Sequence, residues 1–435
     1  MANKYTKRYI ANIAIEAVTP LKVGSSDVDM LQDSPVQKDW NELPMILGTS
    51  IAGVLRKEFD TAFANDVFGD NNAKKKENKG SRIIISNALL CDENMQVQEK
   101  LLTQKTPFLK LFENLPLREH TAITDKGVAK ENSKFDEEVV YKGSRFKFCL
   151  EFIANEDDEP KWIKLLDTIN SKIFRLGSGT TKGFGDVKVL VQESSYELFD
   201  LNSDGYRSHS SSLNTSYKNP FDFAAKAIPN YDTYLLEITP DDFFIFGSGF
   251  GDDDADAIPV FESIIDYEKR DLSKEQILIP ASSIKGALAH RALFHYNKLM
   301  GNTIEANNGV LSLHQIFGAA KDQENESKGK LLMSDCFMNN DAQTKVFDHV
   351  SIDRFTGGAI EGALFQEKTL HDKRVYTIEI LLEKGIDNNE AIKAFESALQ
   401  DITTGMLPLG GMTTKGHGYF SGTLLKNGDK YEVTN

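Results

Sequence analysis

Three features are scarce in this 435-residue chain, and each scarcity excludes a class of protein. It has three cysteines, Cys91, Cys149 and Cys336, which stand too far apart in sequence for a disulfide framework or a zinc knuckle. No apolar run approaches the ~20 residues that span a bilayer, and the N-terminal segment lacks the apolar core of a signal peptide. We therefore expect a cytoplasmic protein with reduced thiols and no membrane partner.

An excess of positive charge is also lacking. Asp and Glu number 65 against 50 Lys and Arg, which gives a formal net charge of −15. This argues against a protein that coats nucleic acid through bulk positive charge, but it leaves room for RNA held in a local basic groove. The hydrophobic content of 40% is enough for packed cores, and the length suggests two or three domains.

The chain repeats itself at an offset of 233 residues. LGSGTTKGFG begins at Leu176 and LGGMTTKGHG begins at Leu409, while GTSIAGVL and ASSIKGAL place Ser50 opposite Ser283. Weaker matches follow in the same order between these anchors. The pattern predicts two tandem copies of one fold. The predicted domains are 1–200 and 229–435, joined by a Ser- and Asn-rich linker at 201–228.

Each copy shows mixed α and β patterns. The segment 10–17 alternates apolar and polar residues and predicts a half-buried strand. We interpret Ser50 and Ser283 as N-caps of helices with apolar residues at helical spacing. A later amphipathic helix, around Trp162 or Phe395, leads into the glycine-rich loop of each copy. This order predicts an α+β fold of two tandem ferredoxin-like domains, similar to RNA-recognition motifs.

The two glycine-rich loops match neither common nucleotide motif. A P-loop needs Gly-Lys-Ser/Thr before a helix, and a dinucleotide fingerprint lies between a strand and a helix, whereas these loops lead from a helix to a strand. They are either tight turns that use glycine for positive φ or backbones that a ligand approaches closely, with Lys182 and Lys415 as charges for phosphate. The repeated TTKG favours RNA binding. The glycines assigned to this role are Gly177, Gly179, Gly183, Gly410, Gly411 and Gly416.

The SSIKG segment of the second copy is a further candidate for RNA binding. A helix N-terminus presents free N–H groups and the positive end of the helix dipole, and Ser282, Ser283 and Lys285 would add donors. The alternative is a simple helix cap. The first copy has Ala52 where the second has Lys285, which weakens the phosphate contact predicted at Ser50.

IPASSIKGALAHR, IDRFTGGA and the terminal glycine-rich loop resemble the RAMP superfamily of CRISPR-associated proteins. More narrowly, they resemble the backbone subunits of type III effector complexes, and the fused pair is similar to the double-backbone subunits of type III-D. The resemblance covers nearly the whole chain, once per copy. It implies a palm that carries guide crRNA, a paired target RNA, and partner subunits in a multi-subunit complex. It also implies a protruding hairpin insertion in each copy, near 116–143 and 347–369, and makes Arg354 of IDRFTGGA an RNA-binding candidate.

The resemblance further implies an aspartate that supports target-RNA cleavage, in the loop after the first strand. DSPV selects Asp33 in the first copy. In the second copy Asp256 stands one residue farther from the proline, and Asp254 is another candidate. A carboxylate can act as a base or hold a divalent ion, and its hard oxygens suit Mg²⁺ or Mn²⁺. Asp33 and Asp256 are the predicted metal ligands; the alternative is a solvated acidic loop or an incidental Ca²⁺ site.

The sequence thus predicts a metal-dependent endoribonuclease that binds guide RNA and cuts the paired target. Two alternatives stay open: a non-catalytic RNA-binding scaffold, and a guide-precursor processing nuclease of the same superfamily. The resemblance implies metal-free histidine chemistry for the latter. His417 lies in the second glycine-rich loop, but Phe184 stands at the same place in the first, so the repeat does not preserve the histidine and we interpret His417 as a candidate RNA contact. An acidic Ca²⁺-binding module is disfavoured because it leaves the repeated anchors unexplained.

Overall fold

The fold was obtained as a computed structural model that describes residues 5–24, 35–70, 79–124, 128–223, 228–303, 308–319 and 328–433. The strands of the first copy are β1 (Lys7–Ala17), β2 (Met45–Ile46), β3 (Ile83–Ile85), β4 (Ala88–Leu90), β5 (Leu117–Ile123), β6 (Ala129–Glu138), β7 (Arg145–Ala154), β8 (Val187–Val189), β9 (Ser195–Asp200) and β10 (Asn219–Pro220). Its helices are α1 (Gly48–Lys57), α2 (Thr61–Val67), α3 (Pro107–Lys110), α4 (Glu159–Ile169) and α5 (Asp204–Arg207).

The second copy follows a similar order. Its strands are β11 (Tyr231–Pro240), β12 (Phe243–Phe244), β13 (Phe261–Glu262), β14 (Ile265–Asp266), β15 (Asp271–Leu272), β16 (Gln276–Ile279), β17 (Leu331–Met333), β18 (Cys336–Asn339), β19 (Gln343–His349), β20 (Phe365–His371), β21 (Tyr376–Glu383), β22 (Phe420–Lys426) and β23 (Asp429–Lys430). Its helices are α6 (Ala281–Leu299), α7 (Asn308–Phe317) and α8 (Asn389–Thr403).

The palm of each copy is an antiparallel sheet centred on its first long strand. In the first copy β1 lies between β9 and β7, and in the second copy β11 lies between β22 and β21. Helices α4 and α8 cover these sheets through their apolar faces, and Trp162 and Phe395 are 1% and 0% exposed. Both residues therefore belong to the core, and the predicted tandem α+β fold is confirmed.

Strand β1 is more buried than its alternating pattern predicts. Ile10 and Asn12 face away from the palm core, yet they are only 1% and 3% exposed. Part of the predicted linker covers this outer face of β1. Asn12 Nδ2 donates to the carbonyl oxygens of the linker residues Ser212 and Thr215 at 3.0 and 2.9 Å. Leu213 between them is also buried. This part of the segment therefore packs against the first copy.

The predicted N-caps are wrong. Helix α1 begins at Gly48 and α6 begins at Ala281, so Ser50 and Ser283 lie inside the first turn and their side chains do not cap it. The first N–H of each helix instead donates to a side chain from a neighbouring loop: Gly48 to Asn87 Oδ1 at 2.9 Å and Ala281 to Asp335 Oδ1 at 2.8 Å. Capping by a distant residue leaves no local sequence signal.

Each copy extends one hairpin from its palm, as the resemblance implies. Strands β5 and β6 form the first hairpin, and β19 and β20 form the second. The base of the second hairpin also pairs with β12, so that it is joined to the strand that follows β11.

The two copies pack head to tail through a buried cluster of charged side chains. Arg118 on β5 donates to both carboxylate oxygens of Glu262, with Nη2 to Oε2 at 2.8 Å, and to Asp335. All three residues are less than 10% exposed. Burial works against the charge of Arg118, but Asp335 and Glu262 outweigh it and raise its pKa. The hairpin of one copy is thereby fixed to the helix-bearing side of the next.

A second contact joins the cores of the two copies. The turn between β14 and β15 carries Tyr267, whose hydroxyl donates to the carbonyl oxygen of Cys91 at 2.9 Å and accepts from the Arg145 N–H at 3.1 Å. Its ring packs edge-on against Phe108, with centroids 4.9 Å apart. Tyr267 therefore lies within the hydrophobic core of the first copy although it belongs to the second.

Candidate nucleic-acid interface

The glycine-rich loops are shaped by close backbone approach. Gly177 and Gly410 have φ of 83° and 89°, and a Cβ at either position would overlap a carbonyl oxygen, that of Lys22 or that of Ile245. These two glycines are required by the turn. Gly416 also has positive φ, at 95°, but a Cβ there would meet no atom within 4 Å. The second loop is thus open at Gly416, beside Lys415.

Each loop places its lysine over an aromatic ring of the hairpin in the same copy. Lys182 Nζ lies 5.5 Å from the centroid of Phe135 on β6, and Lys415 Nζ lies 4.1 Å from the centroid of Phe365 on β20. Both distances are within the range of cation–π attraction. Among the described residues neither lysine forms an ion pair, so each charge is available to an anionic ligand.

A histidine and a buried glutamate lie next to each of these rings. His120 stacks on Phe135 and His349 on Phe365, with centroids 5.1 and 4.7 Å apart. The corresponding glutamates are two residues farther along the strand: His120 Nε2 lies 3.2 Å from Glu137 Oε2, and His349 Nε2 lies 2.9 Å from Glu367 Oε1. Neither pair is predicted from the sequence. A match of FDE at 135–137 with FQE at 365–367 is the signal that would have found them.

The two glutamates are held by different additional partners. Lys22 donates to Glu137 in the first copy. Burial opposes the ionisation of Glu137, but the hydrogen bonds from His120 and Lys22 outweigh it and lower its pKa to about 2. In the second copy His417 Nε2 lies 2.9 Å from Glu367 Oε1. His417 is therefore occupied by a carboxylate and only 8% exposed, which is a poor position for an RNA contact.

Two lysines, Lys182 and Lys285, lie close together at the junction of the two copies. Lys285 in the first turn of α6 donates from Nζ to Thr181 Oγ1 of the first glycine-rich loop, at 3.1 Å. Burial, and secondarily the nearby charge of Lys182, lowers the pKa of Lys285 to about 8. In the described part of the chain Lys285 has no carboxylate partner. Two like charges held together in this way favour an anion between them.

The remaining RNA-binding candidates lie in different places. Ser282 and Ser283 accompany Lys285 in the first turn of α6, and Ser283 is exposed. Ser50 is exposed in the first turn of α1, in a copy without the corresponding lysine. Arg354 is exposed between β19 and β20 at the tip of the second hairpin.

The acidic loop of the second copy runs along the base of its hairpin. The Gln366 N–H donates to Asp256 Oδ2 at 2.8 Å. The exposed Asp256 carboxylate therefore lies beside β20 at Gln366, the residue between Phe365 and Glu367. Asp254 instead pairs with Lys368 at 3.1 Å, and Asp252 pairs with the same ammonium. The Asp254 charge is therefore partly neutralised, whereas Asp256 accepts only from backbone among its described contacts. Asp33 lies outside the described residues.

The register of the two acidic loops can be compared from the strands that follow them. Gly24 forms a bridge with Val36, and the corresponding Gly247 forms a bridge with Pro259. Val36 thus corresponds to Pro259, although the sequence match aligns the prolines. Asp33 and Asp256 both precede the bridged residue by three positions in the sequence, so this register selects Asp256 as the counterpart of Asp33.

The described residues do not bring three His, Cys, Asp or Glu side chains together as a metal site. A site built on Asp256 would contribute one carboxylate. Mg²⁺ is commonly held by one or two carboxylates together with substrate phosphates and water, so Asp256 fits an ion that RNA helps to bind rather than a pre-formed cage. In the described ranges, no helix is long and apolar enough to cross a membrane.

Two tandem ferredoxin-like palms, each with a hairpin and a lysine over an aromatic ring, define the class of protein. The family model of the RAMP superfamily matches residues 14–188 and 214–421, and the chain belongs to this superfamily. The two separate matches agree with the tandem fold. No curated protein matched the sequence. Membership supports a CRISPR-associated RNA-binding function within a multi-subunit complex.

Proposed function

We propose that the chain is a backbone subunit of a type III CRISPR effector, which binds guide crRNA and cleaves the complementary target RNA with the help of Mg²⁺ or Mn²⁺. The observation that carries the proposal is the duplicated arrangement of Lys182 over Phe135 and Lys415 over Phe365. A structural role alone would not require, at the same place in both copies, a lysine that forms no ion pair with the described residues.

The binding part of the proposal follows from charge. The net charge of the chain is negative, yet Lys182, Lys285 and Lys415 form no ion pair among the described residues. The first two lie at the junction and the third lies beside the second hairpin. A phosphate backbone that passes the first loop, the start of α6 and the second loop would pair with each in turn. The flanking rings of Phe135 and Phe365 offer apolar surface beside that path.

The cleavage part rests on the position of Asp256. RNA carries its own nucleophile, the 2′-hydroxyl, and its cleavage needs proton transfer and neutralisation of the phosphate charge. Asp256 is held by the Gln366 N–H, next in sequence to the Phe365 ring that lies under Lys415. This supports a role in which the Asp256 carboxylate accepts a proton or shares a divalent ion beside a phosphate bound by that lysine. Such an ion would supply additional stabilisation of charge on the phosphate.

Exchanging the loop lysines should weaken binding of guide RNA of any sequence. We expect Lys182→Gln and Lys415→Gln each to lower the affinity and to reduce the slope of log K against log salt by about one, because each removes one phosphate contact. The matched control is Lys172→Gln, which removes an exposed lysine already paired with Glu379. Filter binding of two unrelated guides over a salt series measures both quantities; a loss confined to one guide would contradict a backbone contact.

The depressed pKa of Lys285 predicts a pH dependence of guide binding. Phosphate binds the ammonium form, so the contribution of Lys285 is fully present below its pKa of about 8 and is lost as the pH rises above it. We expect the affinity to fall about tenfold between pH 7 and pH 9, since one proton must be taken up on binding. Lys285→Arg stays charged over this range and should remove the dependence. An unchanged slope in that variant would show that another group titrates.

One experiment separates the proposed nuclease from its alternatives. The complex purified with its guide is given a matched target RNA and, separately, an unprocessed guide precursor, each with and without EDTA. The proposal expects target cuts that chelation abolishes. A bound guide with no target cut supports the alternative of a non-catalytic scaffold. The ion pair of Asp254 with Lys368 favours that alternative. Chelator-resistant cutting of the precursor supports the processing nuclease.

A further inference from the structure

We propose that Phe250, in the acidic loop of the second copy (248–256), is a stacking platform for one base of the target RNA. The ring receives an unpaired base beside Asp256, and the hairpin of the first copy holds the ring in place. The inference deepens the proposed function and rests on it, because it takes target RNA to pass Asp256.

The Phe250 ring is exposed on a well-defined turn. Its exposed fraction is 61%, and it belongs to neither hydrophobic core of the described chain. The Ser248 hydroxyl accepts from the Phe250 N–H at 3.2 Å and donates to the Phe250 carbonyl oxygen at 3.0 Å. The Ser248 N–H in turn donates to the Ile258 carbonyl oxygen at 2.9 Å. A ring held in this way loses little conformational entropy when a ligand stacks on it.

Two glycines place Phe250 between the first hairpin and Asp256. Gly249 has φ of 89°, and a Cβ there would lie 2.3 Å from Glu119 Oε2 on β5. A Cβ on Gly251 would lie 2.9 Å from the Asp256 Cα. Both neighbours of Phe250 therefore pack more closely than a larger residue allows. One packs against the hairpin of the first copy, and the other packs against the residue proposed to support cleavage.

The first hairpin also supplies a cation to the ring. Lys134 Nζ on β6 lies over Phe250, 5.0 Å from the ring centroid, and 2.7 Å from Glu119 Oε2. This distance is within the range of cation–π attraction, and the contact crosses from one copy to the other. Because the ring remains largely exposed with this ammonium in place, it still offers surface to a base.

The charges around the ring favour a base over a phosphate. Residues 252–254 are all aspartates, and two of them pair with Lys368. A phosphate placed against the ring would meet charge of its own sign. A nucleobase is uncharged and presents a π face, and stacking on an aromatic side chain accepts every base. The ligand that fits is a base whose phosphates lie away from the ring.

Only a nucleotide outside the duplex can use this platform. A base paired with the guide is stacked between its neighbours, and it must leave that stack to meet a side chain. Release of the nucleotide also frees its backbone to reach the in-line geometry that attack by the 2′-hydroxyl requires. Phe250 thus acts by positioning the nucleotide next to Asp256 and takes no part in proton transfer.

The first copy has no aromatic residue for the same role. Gly24 and Gly247 correspond through their bridges to Val36 and Pro259. The sequence between Gly24 and Val36, SSDVDMLQDSP, contains no Phe, Tyr or Trp. The two proposed cuts should therefore differ in their dependence on a target base, and the cut of the first copy serves as an internal control.

The kinetic test uses the intact complex with its guide and matched targets that carry one abasic nucleotide, moved stepwise past the cut assigned to Asp256. We expect Phe250→Ala to slow that cut about tenfold at saturating target, the size of effect that one base–aromatic stack gives. One abasic position should slow the parent equally and should have no further effect in Phe250→Ala. Phe250→Leu keeps an apolar side chain and should resemble Phe250→Ala, whereas Phe250→Tyr should restore the rate.

A second measurement detects the stack without cleavage. Targets carrying 5-iodouridine, which crosslinks to an aromatic ring stacked on it, are bound in EDTA and irradiated. We expect peptide mass spectrometry to find a crosslink at Phe250 from one target position, retained in Phe250→Tyr and lost in Phe250→Leu. No crosslink at Phe250, or Phe250→Ala with the parental rate and the parental abasic effect, would overturn the platform. Loss of a copurifying protein subunit in Phe250→Ala would also overturn it, because the ring would then be a protein contact.

The two measurements separate this inference from the proposed function. The Phe250 crosslink in a complex that does not cut the target refutes the proposed cleavage and leaves the platform standing. Cleavage that depends on Asp256 but is indifferent to the ring and to every abasic position refutes the platform alone.

Discussion

Replacing Arg118 with methionine should destabilise the chain by about 3–5 kcal/mol, the usual result of breaking a buried ion pair by removing one partner. The substitution leaves Glu262 and Asp335 buried without their shared cation. Asp335 also caps α6, so the loss extends to the helix that carries Lys285. We expect a lower denaturant midpoint in urea unfolding, and faster limited proteolysis near β14 as Tyr267 leaves the core of the first copy.

Two controls make the Arg118 result specific. Lys172→Met removes an exposed ion pair between the copies, with Glu379, and should cost less than about 1 kcal/mol. The triple variant Arg118→Met with Glu262→Gln and Asp335→Asn removes the uncompensated charges and should recover part of the lost stability. A single variant as stable as the parent would show that the junction does not depend on these ions.

The tandem fold is predictable because its anchors are short and contiguous. TTKG is identical in the two copies, and SIAG at 50–53 matches SIKG at 283–286 in three of four residues. The apolar spacing of α4 and α8 places Trp162 and Phe395 in the core without reference to distant residues. The junction is different. Arg118 meets its partners 144 and 217 residues away, and nothing in the local sequence distinguishes its charge from that of a solvated arginine.

The candidate site is predictable only in part for the same reason. The glycine-rich loops indicate Lys182 and Lys415, but the residues beneath them are set by the pairing of hairpin strands. His120 lies opposite Phe135, and His349 opposite Phe365, through strand register alone. The two hairpins match at an offset of 230 rather than 233 residues, which hides the correspondence from a comparison at the main repeat.

The correspondence between the two acidic loops is set by strand pairing and not by their prolines. Aligning the prolines leaves Asp256 out of register with Asp33, and it keeps Asp254 as an alternative. The bridges at Val36 and Pro259 give a register in which Asp256 is the counterpart of Asp33. Asp254 instead forms an ion pair with Lys368. The role of Asp33 stays a prediction, since that residue lies outside the described part of the chain.

Asp256→Asn should therefore abolish one cut in a matched target RNA, with a fall in rate at that position of about 10²–10⁴-fold, the usual contribution of a group that transfers a proton. The amide keeps the size of the side chain and can still accept from the Gln366 N–H, but it loses the charge. Guide and target affinity should change little, since the contribution is made in the transition state. Asp33→Asn should remove a different cut, displaced along the target by the spacing of the two copies.

Mapping the cut ends on labelled target RNA, with filter binding alongside, measures both effects. Asp254→Asn is the matched control: it removes a neighbouring carboxylate that pairs with Lys368, and it should leave every cut in place. If Asp254→Asn removes the cut and Asp256→Asn does not, the register drawn from the bridge at Pro259 is wrong. If both variants cut at the parental positions and rates while chelation still stops cleavage, the second copy serves as scaffold and the metal acts elsewhere.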